Sequence, residues 1–356
     1  MRIYWNYQEL LEEVNRRSQD VRSLGHSLDG SPIVVAKGGG EKLPAVFITA
    51  GSHSTEHAGV SAAVELLDRL DTNHAVYVIP TRDPIGMNGF AHALSLGLGR
   101  APTLDSYDDV EALLRNSGDV LFEEGDCLLT LIGDYGYALT RPAEGRCAQI
   151  SFMDRLREVG SEVLEPLYGR RVYMNPAQPG IDGAGDFGRA YTLIIGFDGD
   201  ILHLNRFHDT AWAPVESRVT RNLMTAVDPG ISFDLHESAQ MDDRFWLSAR
   251  KQMDAENQRW EERAAHETIQ AIADFGATLA NTQDAPSQWF TETEQAVFWL
   301  DATKRGEGLN LMDYASRRHG MAFGTEMGMY GSFEQRVELA LITVRTAVAV
   351  FEERYA

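Results

Sequence analysis

The stretch Ala45-Val46-Phe47-Ile48-Thr49-Ala50-Gly51-Ser52-His53-Ser54-Thr55-Glu56 decides the fold. Its first half is a short apolar run with the length and composition of a buried strand. Gly51 and Ser52 end the run, and residues 57–70 then place Val60, Val64, Leu67 and Leu70 on one helical face. The polar turn between strand and helix carries His53 and, three residues on, Glu56. A second apolar run, Ile231-Ser232-Phe233-Asp234-Leu235, ends on His236. Carboxyl ends of strands face the crevice where open α/β sheets place their sites. Two imidazoles and one carboxylate are the donors of a catalytic zinc ion, with a fourth position left for water. The i, i+3 spacing brings His53 and Glu56 to one ion if the turn there is helical. The plainer alternative is a surface His53 and a hydrogen-bonded core His236.

Outward from this stretch, strands and helices alternate. Residues 5–18 carry Leu10, Leu11 and Val14 at helical spacing, and Leu24 to Val35 reads as two short strands around an Asp29-Gly30 turn. A strand follows from Ala45 to Ala50 and another from Ala75 to Pro80, before Thr81-Arg82-Asp83-Pro84-Ile85-Gly86. Residues 90–187 mix acidic helical pieces, Asp108 to Leu114 and Phe152 to Leu167, with loops rich in Gly and Pro, and read as an insertion. Tyr191 to Phe197 and Leu202 to Phe207 are strand-like, a helix runs from Pro214 to Val227, and a long polar helix spans 252–275. The last helix, Phe333 to Glu353, opens on a Ser332/Gln335 capping box. The alternation predicts an α/β sheet protein, with 90–187 as a large insertion.

Composition narrows the function. With 44% hydrophobic and 24% charged residues, the chain is an ordinary folded protein. A formal net charge of −21 argues against nucleic acid or an anionic membrane as partner. Two cysteines, Cys127 and Cys147, make no secreted-type disulfide framework, and neither a signal peptide nor a membrane-spanning stretch is visible. The expected location is the cytoplasm.

The motifs taken together resemble the zinc carboxypeptidase family (carboxypeptidase A-like metallopeptidases) and its aspartoacylase and succinylglutamate desuccinylase relatives. The resemblance runs in chain order. It starts at Gly25 to Ile33 and passes through Gly51-Ser52-His53-Ser54-Thr55-Glu56-His57-Ala58-Gly59 and Asp83-Pro84-Ile85-Gly86. It continues through Leu204-Asn205-Arg206-Phe207 and Asp234-Leu235-His236 to Phe323-Gly324-Thr325-Glu326-Met327-Gly328. It covers most of the chain outside the insertion, and it implies a fold, one α/β domain spanning 1–356 with a three-layer mixed, mostly parallel sheet flanked by helices, and with it a set of roles. His53, Glu56 and His236 would hold one zinc ion; Glu326 would be the general base. Asn205 and Arg206 would bind a substrate carboxylate, and Arg189 would steady the oxyanion, with Arg82 and Arg100 as rivals.

The implied activity is hydrolysis of an amide bond next to a free carboxylate. Carboxypeptidase action on a peptide comes first, and deacylation of an N-acyl amino acid is the alternative. An inactive zinc- or peptide-binding protein is the reading from another class. The family's mobile tyrosine is missing from the loop Asp301 to Gly308, where Lys304 and Arg305 stand as candidate grips for an acidic substrate. Leu311 and Met312 fall where the family lines its side-chain pocket. Glu237, His203 and His208 are further polar residues near the motifs, read as groups that support the ligands or lie on the surface in preference to a second metal site.

Overall fold

The strands on either side of Asp29-Gly30 form an antiparallel pair, β1 (Val21–His26) and β2 (Pro32–Gly39), behind a first helix, Tyr7–Arg17. β3 (Lys42–Ala50) and β4 (His74–Ile79) are parallel and joined by the helix His57–Arg69. Next come β5 (Asp119–Glu124), β6 (Cys127–Ile132), β7 (Tyr135–Thr140), β8 (Arg171–Met174), β9 (Tyr191–Ile195) and β10 (Ile201–His203). The last are β11 (Ile231–Ser238), β12 (Phe245–Arg250), β13 (Phe290–Glu294), β14 (Val297–Leu300) and β15 (Met321–Gly328). This computed structural model describes residues 1–141, 148–176, 187–210, 212–239, 242–250, 254–283, 290–300 and 310–356.

Nine strands make one mixed sheet, in the order β1-β2-β4-β3-β11-β15-β12-β14-β13. Its centre, β4-β3-β11-β15, is parallel throughout. Side chains alternate across such a sheet, and the alternation separates two cores. Val46, Ile48 and Ala50 pack with the helices His57–Arg69, Ala255–Asp274 and Phe333–Arg354. Phe47 and Ile79 pack instead with Met224 of the helix Val215–Val227 and Tyr314 of Leu311–Arg318. Helices on both faces give the expected three layers. The last helix is capped as its sequence predicts, Ser332 Oγ accepting from the Gln335 amide at 3.2 Å. Among the described residues no helix is long and apolar enough to cross a membrane.

The stretch 90–187 contains more than helices. β5 to β8 lie within it and join β9 and β10 in a second sheet, ordered β10-β9-β8-β7-β6-β5. The piece expected at 152–167 as one helix is a helix, Ala148–Glu158, followed by two short helical turns. Buried polar pairs fasten this sheet to the large one. Glu216 takes both Arg171 of β8, at 2.9 and 2.7 Å, and Ser27 beside β1, at 2.8 Å. Thr192 of β9 donates to Asp83 at 2.8 Å. Burial pushes the Asp83 carboxyl up to about 7, which makes it a costly group to leave without those donors.

Candidate metal centre

β3, β11 and β15 are neighbours and run the same way, so their carboxyl ends lie side by side. The register places Ala50 opposite Leu235 and His236 opposite Glu326. The loop leaving β3 therefore starts next to His236, with Glu326 on the other flank. Gly51 makes the exit turn at φ +59, where a Cβ would lie 2.5 Å from Thr81 Oγ1, so a side chain is excluded twice over.

His53, Glu56 and His236 converge, with one donor atom from each lying within 4.8 Å of the others. The two imidazoles present the same atom to the carboxylate. His53 Nδ1 is 2.6 Å from Glu56 Oε1, and His236 Nδ1 is 2.9 Å from Glu56 Oε2. Their opposite nitrogens are held from outside: His236 Nε2 lies 2.8 Å from Asp234 Oδ2, and His53 Nε2 lies 2.7 Å from His203 Nδ1. Fixing Nε2 leaves Nδ1 available to a cation, which is the usual way a ligating histidine is oriented.

The electrostatics point the same way. Burial pushes Glu56 up, but His53 and His236 outweigh it and hold the carboxyl below its ordinary range. Burial pulls His236 down, yet the flanking Asp234 and Glu56 carboxylates carry it well above the usual histidine value. The protein's own residues thus favour positive charge between these carboxylates, and a divalent cation on two imidazoles and one carboxylate fits that demand.

Glu326 is half-buried, and burial raises its carboxyl to about 8, with Glu56 and Asp234 adding to the shift while His236 opposes it. The native carboxyl keeps a proton that the unfolded chain releases above about pH 4.3. Its contribution to stability is therefore complete below that value and lost as pH climbs towards 8. In the presence of a chelator the protein is expected to lose urea resistance over that interval, and Glu326→Gln to show a flatter decline. Equal slopes for the two proteins would mean the carboxyl is already ionised in the native state.

Not every expected residue reaches the cluster. Arg189 is fully buried and spent on the fold: its guanidinium donates to the carbonyls of Tyr4, Trp5, Ser54, Met87 and Gly188 at 2.5 to 3.1 Å. It ties the N-terminal segment to the loop bearing His53, and this replaces the oxyanion role expected of it. Arg189→Met is expected to cost on the order of 3 kcal/mol in urea unfolding, since buried carbonyls lose a charged donor. Unchanged stability with collapsed turnover would return it to the chemistry.

Asn205 is likewise committed. Its Oδ1 accepts from Arg82 at 3.2 and 3.3 Å and from the Leu311 amide at 3.1 Å, and its Nδ2 is 2.8 Å from His236 Nε2. Arg206 is half-buried, donates to the Asn205 carbonyl at 3.0 Å, and its charge acts on both His53 and Glu326. Of the expected carboxylate-binding pair, Arg206 is the cation that the centre feels. Arg82 is buried against Asp234 with two bonds, 2.8 and 2.7 Å, and Arg100 is exposed. Leu311 and Met312 are buried in the core around Phe47. The loop Asp301 to Gly308, with Lys304 and Arg305, and Cys147 lie outside the described residues.

Sequence reading gave Asp234 no ligand-orienting role and left His203 as either a supporting or a surface group. Asp234 carries a period-two signal, two positions before His236 on the same strand face. His203 has no such signal, because it arrives from the second sheet. Tyr191 arrives with it and stacks on His53, with ring centroids 5.2 Å apart and an interplanar angle of 19°.

No family model matches the sequence, and no curated protein matches it. Solved structures do. The chain is similar to a candidate metallopeptidase from Shewanella denitrificans at 12% identity, over 97% of this chain and 90% of that one, with a TM-score of 0.52. It is similar to the carboxypeptidase A of Helicoverpa armigera at 13% identity, over 98% and 73%, with a TM-score of 0.51. It is also similar to a metallo-carboxypeptidase of Pseudomonas aeruginosa at 12% identity, over 97% and 69%, with a TM-score of 0.50. At such identities the likeness is one of fold: the chain has the zinc carboxypeptidase-like α/β fold.

Proposed function

We propose that this protein is a zinc-dependent hydrolase of an amide bond next to a free carboxylate, acting as a carboxypeptidase on peptides. The observation that carries the reading is the convergence of His53, Glu56 and His236 beside Glu326 at the carboxyl ends of three adjacent parallel strands. One zinc ion held by those three residues supplies Lewis acidity, making water a stronger acid and a carbonyl a stronger electrophile. Glu326 takes a proton at its carboxylate from the attacking water and later delivers it to the leaving amine. Arg206 offers the planar donor pair that matches a substrate carboxylate. Asn205 contributes through Arg82 and His236, by holding the wall on which Arg206 stands. A small, soluble substrate suits an acidic protein with a net charge of −21, and neither nucleic acid nor membrane is proposed as a partner. A cytoplasmic location completes the reading.

A turnover screen read by mass spectrometry tests it. The zinc-loaded protein is offered short peptides with free or amidated C-termini, together with N-acyl amino acids. Loss of single C-terminal residues from free-carboxylate peptides alone supports the carboxypeptidase. Cleavage confined to N-acyl amino acids moves the chain to the deacylase alternative. Stoichiometric zinc and tight ligand binding without turnover would make it a binding protein.

A further inference from the structure

We propose that Glu237, held in place by Arg336, is a positioning residue that locks the two ligand-bearing segments of the metal centre to each other. The proposal rests on the metal-hydrolase reading above. Glu56 stands at the N-cap of the helix His57–Arg69, where a side-chain oxygen ordinarily accepts from the first-turn amides. Its carboxylate is turned instead to His53 and His236, and it makes no cap bond. The missing acceptor comes from the neighbouring strand. Glu237 Oε2 accepts from the Ala58 amide at 2.6 Å and from the Gly59 amide at 3.4 Å.

The negative charge also suits the positive end of the helix. The other oxygen, Oε1, pairs with Arg336 of the helix Phe333–Arg354. Both side chains are sealed from water, at 1% exposure for Arg336 and 0% for Glu237, so solvent offers no substitute partner.

Alternation along β11 sends His236 into the centre and Glu237 to the opposite face. Consecutive residues of one strand therefore hold one metal ligand and the helix that presents another. The helix start is seated tightly: a Cβ on Gly59 would lie 2.7 Å from the Leu235 carbonyl oxygen. Glu237 then fixes this contact in register, and with it the place of Glu56 relative to His236.

Glu237→Gln keeps the shape but offers an amide, so either Arg336 or the helix amides lose an acceptor. Zinc affinity, read by competition with a chromophoric chelator, is expected to fall ~10–100-fold, the range for partners that orient metal ligands. The visible bands of the cobalt-loaded protein are expected to shift, and exchange at the Ala58 and Gly59 amides to quicken. Arg336→Lys, a milder change that keeps the charge but not the fork, is expected to weaken zinc by a smaller factor, and it carries the test if Glu237→Gln does not fold. Wild-type affinity and an unaltered cobalt spectrum alongside a lowered Tm would overturn the proposal, leaving a purely structural pair. A wild-type protein that takes up neither zinc nor cobalt would overturn the metal reading and this proposal together.

Discussion

Glu326→Gln is expected to bind zinc as tightly as the wild type and to turn substrate over ~10²–10⁴-fold more slowly, the usual contribution of a positioned general base. The substitution preserves shape on a strand whose register sets Glu326 opposite His236 and Trp246. What it removes is a carboxylate able to accept a proton from water and return it to the leaving amine. The surroundings suit that task. Burial raises the metal-free carboxyl to about 8 while Glu56 is held low, and a divalent cation on His53, Glu56 and His236 would add positive charge beside Glu326 and favour the carboxylate that accepts the proton. Steady-state kinetics and zinc content measured on the same preparation check this. Full turnover by the variant would remove Glu326 from the mechanism, and loss of zinc would make it a ligand.

Arg82→Leu is expected to carry the largest stability cost of any single change near the centre, ~3–5 kcal/mol, the range for stripping one partner from a buried ion pair. Asp234 and Arg82 are each 1% exposed and joined by two bonds. Without the guanidinium, the Asp234 carboxylate keeps, among the described residues, Thr49 at 2.7 Å and His236 as partners. The same guanidinium holds Asn205, so the loss also loosens the segment bearing Arg206. Burial pushes the Asp234 carboxyl up, but Arg82 and His236 hold it far below the usual range; without Arg82 its native affinity for a proton rises, so the leucine variant's deficit is expected to be greatest at pH 7 and to shrink as the pH falls. Arg82→Lys, which keeps the charge and loses the fork, is expected to recover part of the loss. Urea midpoints of the three proteins at pH 5 and pH 7 decide it. A leucine variant as stable as the wild type would mean that the pair is held together by other contacts.

How much was legible in the sequence follows from what each residue depends on. His53, Glu56 and His236 follow apolar runs, and a local pattern reports such positions directly, whereas Glu326 was reached through the family resemblance of Phe323 to Gly328. Arg189 was read from the family resemblance. Its surroundings are carbonyls from four separate segments, which no local pattern records. The insertion was misread for a related reason. β5, Asp119–Glu124, is largely exposed and charged at its ends, and β6, Cys127–Ile132, is an apolar run that fits a helix as well as a strand. β5 becomes a strand by pairing with β6, and β6 by pairing with both β5 and β7, and that pairing was the missing information. The large sheet was easier because each of its central strands is apolar enough to declare itself.

The second sheet has a consequence for anyone who would exchange modules between proteins of this fold. Its last two strands bring Tyr191 against the face of His53 and His203 against the edge of that ring, and the Ala190 carbonyl receives the Ser54 hydroxyl at 2.5 Å. A chimera that replaced 119–203 with another lobe would carry away half of the setting of one ligand, however well the new lobe folded. The stretch that looks most like an appendage is, for engineering, part of the centre.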